Sequence, residues 1–312
     1  MDSLIYSIDA TFPIFLMILM GIYLKKIHLI DDSFVKVANK LVFTVTLPVM
    51  VFEDLAYEDF RHNFEGKFVL YCFIATLLSI IIIWILTDIF VKEKESRGSF
   101  IQGCYRSSAA ILGMAFIKNV YADAGMAPLM IIGAVPLYNV FAVAVLTAKA
   151  RSAKHFDLKK TLIGIAKNPI IIGIVLGIIS SLIGIDYPVI VDKTLSMTGG
   201  LTTPLALICI GAAFELGEAR LKLKLASVAT VVKLVILPAI ILPIAVILGF
   251  RNQELMALVI MSGSPTTVSA YIMSRNMDND HVLSSDIILM TTALSCFTLT
   301  AIIWILRSKG LL

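Results

Sequence analysis

Long apolar blocks, broken by short polar stretches, run the length of the chain; Phe68–Leu86 and Val231–Phe250 are examples. Blocks near 20 residues match the hydrocarbon core of a bilayer. Taken in order, they predict ten membrane-crossing helices, at about 9–26, 34–56, 67–91, 99–119, 125–148, 161–183, 187–213, 225–249, 253–273 and 284–306. The expected fold class is an all-α integral membrane protein. Two blocks spoil the pattern. "CYRSSAAILGMAFIKN" (104–119) carries Arg106, Ser107, Ser108 and Gly113, and "IMSGSPTTVSAYIMSR" (260–275) carries Ser262, Gly263, Ser264, Pro265, Thr266 and Thr267. Proline removes a backbone donor and clashes with the preceding turn. Non-helical backbone at membrane depth survives only where it is buried in protein or lines a watery cavity.

The two blocks stand 156 positions apart, as do Pro13 and Pro169, Gly21 and Gly177, and Pro48 and Pro204, in a chain of 312 residues. Local contexts agree: "TLPVMVF" matches "TTPLALI". Halves at 1–156 and 157–312 each hold five expected spans. An odd number sends the second copy through the membrane in the opposite direction. The expectation is an inverted repeat, an architecture of secondary transporters, with interrupted helices 4 and 9 crossing near the midplane around the substrate site. Half-helices that begin at such a break present free N–H groups and partial positive charge, which attract a carboxylate.

Composition agrees with the pattern. The chain is 59% hydrophobic and 15% charged, against ~45–50% and ~25% for soluble domains. The net charge of +4 is not gathered into a basic patch interleaved with aromatics, so nucleic acid is not an expected partner. Connections after odd-numbered spans hold fifteen Lys and Arg residues and the opposite side six. That asymmetry puts both termini outside the cytoplasm of a multi-pass protein in the cell (plasma or inner) membrane. The first apolar stretch lacks a basic leader and cleavage site and is expected to remain as a span. Cys72, Cys104, Cys209 and Cys296 fall in apolar blocks without Cys-x-x-Cys spacing, and His28, His62, His155 and His281 lack metal-ligand spacing. Neither a metal nor a cofactor is expected. No nucleotide fingerprint or nucleophile–base set marks an enzyme.

Five cations fall inside expected spans: Lys40, Arg106, Lys167, Lys193 and Lys233. A charge at the bilayer centre costs ~2.5–3.5 kcal/mol on insertion scales, so its default role is function or pairing. Lys40, Lys167 and Lys193 lie near helix ends and are expected to snorkel to the surface. Arg106 adjoins the proposed break, where its fork of donors suits a carboxylate. Lys233 lies deeper, as a gating or structural charge. Embedded carboxylates are sparse: Asp286, Glu215 and Asp192 all sit near helix ends. Asp286 is the candidate gating or structural acid. Gly173-x-x-x-Gly177 fits close helix packing or a dimer contact.

Six stretches carry a family resemblance: "NKLVFTVTLPVMVF" (39–52), "CYRSSAAILGMAF" (104–116), "VPLYNVFAVAVL" (135–146), "GGLTTPLALICIGAAFEL" (199–216), "SGSPTTVSAYIMS" (262–274) and "ILMTTALSCFTL" (288–299). In this order they resemble the auxin efflux carrier family, which includes bacterial malonate- and malate-type permeases. The resemblance implies a scaffold of helices 1, 2, 6 and 7 (about 9–56 and 161–213). It implies a mobile transport domain of helices 3–5 and 8–10 (about 67–148 and 225–306). It further implies elevator-type transport of small organic anions and a homodimer. It places Tyr138, Asn139 and the repeat-related Ser295 beside the crossing, with Thr44, Thr46, Thr202 and Thr203 facing it from the scaffold. This chain has Arg106-Ser107-Ser108 where the family often has Arg-Ser-Asn, and Gly113-Met114-Ala115 where Gly-x-Pro is common. The substrate-binding set expected is thus Arg106, Ser107, Ser108, Gly113, Tyr138, Asn139, Ser262, Ser264, Pro265, Thr266, Thr267 and Ser295. A proton or sodium is the expected coupling ion. Alternatives are a sodium-coupled symporter of the bile-acid type and a non-transporting receptor.

Overall fold

A computed structural model describes residues 2–57, 65–109, 126–151, 166–213 and 216–312. Among them the secondary structure is entirely helical. Among the described residues, six stretches are long and apolar enough to cross a membrane: Asp32–Ala56, Gly66–Phe90, Ala127–Ala148, Val189–Ala212, Lys222–Ile247 and His281–Ser308. The chain is a multi-pass membrane protein. Its lipid-facing belt is plain on helix Gly66–Phe90, where Leu70, Phe73, Ile74, Leu78, Ile82 and Ile85 are exposed; a soluble protein rarely leaves such a surface bare.

In chain order the helices are α1 (Asp2–Lys26), α2 (Asp32–Leu41), α3 (Leu47–Ala56), α4 (Gly66–Phe90), α5 (Arg97–Tyr105), α6 (Ala127–Ala148) and α7 (Pro169–Ile183). There follow α8 (Val189–Gly200), α9 (Thr202–Ala212), α10 (Leu216–Val231), α11 (Leu237–Ile247), α12 (Asn252–Gly263), α13 (Ser269–Asn276) and α14 (His281–Ser308). A π turn at Val42–Thr46 joins α2 to α3 and another at Val232–Ile236 joins α10 to α11. Each ends just before Pro48 or Pro238. A proline ring clashes with the carbonyl four residues back, and a wider turn relieves that clash without ending the helix. Helix α7 shows the opposite use of proline. Asn168 caps it by accepting from the Ile170 amide at 3.0 Å, Pro169 opens it, and Gly184 at φ 73° closes it.

Small residues set the closest helix contacts. Gly21 of α1 lies against the Ile208 backbone of α9, and Gly177 of α7 against the Phe52 backbone of α3. Both glycines and both partners are related by the 156-residue offset. Thr202 donates to Thr46 at 2.9 Å, a bond between two residues 156 apart. Gly173 and Gly177 spend their missing side chains on Pro48 and Phe52 of the same chain. The Gly-x-x-x-Gly motif therefore serves an internal contact.

Among the described residues, buried apolar side chains form two clusters. One gathers α4, α5, α6, α10, α11, α12 and α14 around residues such as Phe68, Met130, Leu258 and Ile287. The other gathers α1, α2, α3, α7 and α9 around Val42, Leu55, Ile170 and Ile210, and reaches the inner side of α6 and α13. Charges collect at the ends. At the Asp88 end of α4, Lys149 bonds Asp88 at 2.6 Å and Arg151 approaches Glu95 at 3.3 Å. Lys222 bonds Glu93 there and approaches Asp280 at 3.2 Å. At the other end of the same helix, Lys67 donates to the Leu248 carbonyl at 2.7 Å.

Candidate functional site

Two helix ends meet inside the protein. Helix α5 stops at Tyr105, and Arg106 is extended (φ −70°, ψ 134°). Helix α12 stops at Gly263, and Ser264 is extended (φ −71°, ψ 156°). Ser264 precedes Pro265, and a proline drives the preceding residue out of the helical region. The chain resumes as α13 at Ser269. The two extended segments bind each other. The Ser108 amide donates to the Pro265 carbonyl at 2.9 Å, the Thr266 hydroxyl donates to the Gly103 carbonyl at 2.8 Å, and the Ser107 and Ser264 hydroxyls are bonded together. Thr291 of α14 accepts from the Thr266 amide at 3.2 Å. Backbone groups that a broken helix orphans are thus satisfied by the other break and its neighbours. Gly113 lies outside the described residues.

A cleft opens beside this junction. Arg106, Ser107, Ser108, Tyr138, Asn139, Thr267 and Ser269 line one side; Met50, Val51 and Asp54 of α3 line the other. Arg106 is 3% exposed. Its guanidinium donates to Asn139 Oδ1 at 2.6 Å and Gln102 Oε1 at 3.3 Å, and contacts Met273 Sδ at 2.7 Å. All three partners are neutral, and no carboxylate of the described residues forms an ion pair with it. Asn139 also donates to the Val135 carbonyl at 3.1 Å, which fixes its oxygen toward the arginine. A buried cation without a counter-charge attracts an anion strongly, and a planar fork of donors matches a carboxylate.

Lys233 belongs to the same junction but not to the cleft. It is 0% exposed and donates to the Ser262 carbonyl, at the end of α12, at 2.9 Å. Tyr138 donates to the neighbouring Met261 carbonyl at 3.2 Å. Of the other expected residues, Ser262 bonds back to the Leu258 carbonyl at 2.7 Å and Ser295 to the Thr292 carbonyl at 2.9 Å. Thr44 is exposed and bonds to the Lys40 carbonyl, while Thr46 and Thr202 bond each other and Thr203 is half-buried. None of the four threonines lines the cleft. Asp286 is buried on α14 away from the cleft, with Oδ2 lacking a hydrogen-bond partner among the described residues. Lys40, Lys167 and Lys193 are exposed.

Residues 6–304 match the family described as Membrane transport protein. The chain belongs to this family, the auxin efflux carriers. It is similar to an uncharacterized transporter, MJ1031, of Methanocaldococcus jannaschii, at 21% identity over 96% of this chain and 98% of the relative. It is similar to an uncharacterized transporter, YfdV, of Escherichia coli, at 21% identity over 98% of this chain and 99% of the relative. Membership makes the chain a membrane transporter and not an enzyme.

Within this transporter the sequence left several contributors unmarked. Gln102, four residues before Arg106, fixes the guanidinium and also donates to the Ala270 carbonyl at 3.0 Å. A lone amide one turn ahead of a lone arginine in an apolar span was its available signal. Thr291 and Met273 had none, because each acts through a contact distant in the chain. Asp54, inside the second expected span, was not among the expected site residues, and the structure places it on the cleft.

Proposed function

We propose that the protein carries small organic anions, such as malonate, malate or auxin-like acids, across the cell membrane. The route is secondary active or facilitative, by elevator-type alternating access. The observation that carries this reading is Arg106, buried, held by neutral partners and lining a cleft. A substrate carboxylate is the counter-charge that this guanidinium lacks among the described residues. Hydroxyls of Ser107, Thr267 and Ser269 line the same cleft and complete a polar pocket.

The mechanism follows from the cleft's two walls. One belongs to α3, whose apolar side chains pack with α1, α7 and α9. The other belongs to α6 and the junction of α5 with α12, built on the first cluster, and to the start of α13, whose apolar residues pack with the α3 cluster. Helices 1, 2, 6 and 7 of a ten-span count then form the scaffold, and helices 3–5 and 8–10 slide against it with the anion between. The inverted repeat is supported by the exchanged glycine contacts and by the Thr46–Thr202 bond. Two equivalent residues of a twofold arrangement touch only where they lie near its axis. The scaffold pairing into a homodimer belongs to the same reading, as does the outside position of both termini.

Uptake into proteoliposomes tests it, with labelled malonate, malate and indole acids. Saturable uptake of one acid, lost in Arg106→Gln, is the expected result. Failure of every acid in a folded, inserted preparation would remove the anion reading. Orientation is checked with Lys309→Cys, since the four native cysteines are all buried. Labelling by an impermeant thiol reagent from outside whole cells is expected; labelling only after lysis reverses the topology.

A further inference from the structure

A second enclosure shares Tyr138 with the cleft but not Arg106. It is lined by Thr76, Ser79, Tyr105, Tyr138, Lys233 and Ser262, with apolar walls from α11 and α12. Its hydroxyls have already given away their hydrogens. Ser79 donates to the Ala75 carbonyl at 2.6 Å, Tyr138 to the Met261 carbonyl at 3.2 Å, Tyr105 to the Tyr138 carbonyl at 3.4 Å, and Thr76 to Met261 Sδ at 3.9 Å. What they have left to offer is oxygen lone pairs. The Ser262 carbonyl, near the negative end of the α12 dipole, adds a further acceptor. Oxygens gathered at the C-terminal end of a half-helix make a site for a small monovalent cation. The ammonium of Lys233 already sits in it, 2.9 Å from the Ser262 carbonyl, on a stem that rises from the π turn at Val232–Ile236.

We propose that this enclosure is the cation position of the crossing and that the tethered ammonium of Lys233 fills it, so that no free sodium ion binds there. A fixed cation holds the end of α12 in every state of the cycle. Transport then needs no sodium. That consequence rests on the transport reading above; the site itself does not.

The test uses the purified full-length protein in detergent and reads thermal unfolding. Sodium chloride, methylammonium chloride and choline chloride are compared at equal ionic strength. Wild type is expected to unfold at the same temperature in all three. Lys233→Ala is expected to unfold at least about 5 °C lower in choline and to regain most of that loss in sodium or methylammonium, which fit the vacated position. A saturable sodium-induced rise in the wild type overturns the proposal. So does a variant as stable as wild type in choline, or a loss that neither small cation restores. Should Lys233→Ala not fold, the wild-type comparison still decides: a sodium rise refutes and its absence supports. Uptake of a transported acid should then be equal in sodium and choline. If no acid is taken up, the anion reading fails, and the unfolding result stands on its own.

Discussion

Arg106 and Lys233 are both buried cations packed against the break that ends α12, yet their surroundings are opposite in kind. Lys233 is enclosed, and the carbonyl end of a half-helix answers its charge. Arg106 stands on extended backbone beside an opening, and among the described residues only neutral groups answer it. Each charge carries an insertion cost of ~2.5–3.5 kcal/mol at the bilayer centre. A helix dipole offsets part of that for Lys233. For Arg106 the described protein supplies hydrogen bonds without a counter-ion. On the proposed reading, the contrast separates a charge that the fold uses from a charge left for a ligand. Lys40, Lys167 and Lys193, all exposed, need neither arrangement.

The comparison breaks most directly at Arg106. In Arg106→Gln, uptake of the transported acid should fall at least ~10-fold, since a hydrogen bond to a charged group is worth about 1.5–3 kcal/mol. Thermal unfolding should move little. Asn139→Asp sharpens the point. A carboxylate placed where the amide oxygen now accepts from Arg106 at 2.6 Å neutralises the guanidinium from within. Anion uptake should be lost about as fully as in Arg106→Gln, in a protein at least as stable as wild type. Retained uptake in both variants would show that the arginine charge is not offered to the substrate.

Sequence alone marked most of this neighbourhood. Pro265 and the hydroxyls around it announced a break in span nine, and the offset of 156 pointed to residues 104–119 as its mate. The end of α5 at Tyr105 came without a proline. It depends on a bond that the Ser108 amide donates and one that the Gly103 carbonyl accepts, both with residues more than 150 positions away, which a local pattern does not contain. The deeper place of Lys233 was legible from its distance to span ends. Its partner was not, because that partner is a backbone carbonyl, and every residue has one. The hydroxyls of Ser264 and Thr266 illustrate the reverse. Their chemistry suggests substrate binding, but both are spent on pinning the two breaks together.

This last point gives a smaller effect of a different sort. Ser264→Ala with Thr266→Ala removes two buried hydrogen bonds, leaves the Gly103 carbonyl short of a partner and leaves the Ser107 hydroxyl only its long bond to the Ile260 carbonyl at 3.4 Å. Each buried group left so costs about 1–3 kcal/mol. The double variant should unfold several degrees lower. If it keeps wild-type stability and loses only anion affinity, the hydroxyls belong to the ligand after all, and the junction is held by its backbone bond.

Lys222 completes the comparison, because it is a cation with carboxylate partners at the end of the protein. Its hydrogen bond lowers the Glu93 carboxyl below its usual value. Burial pushes the Asp280 carboxyl up, but bonds from Ser96 and the Leu283 amide, together with Lys222, more than offset this and leave it lowered. A carboxyl lowered in the folded state stabilises the fold above its unfolded pKa, and that contribution is lost as pH falls through the folded value. Stability should therefore decline as pH drops below about 4, the ordinary carboxylate range. Asp280→Asn should flatten that decline, by a shift of only a few degrees at most. Arg106→Gln should leave the acid profile unchanged, because no carboxylate of the described residues pairs with Arg106. An acid profile altered by Arg106→Gln would reveal a carboxylate partner for the arginine and erase the distinction between the two buried cations.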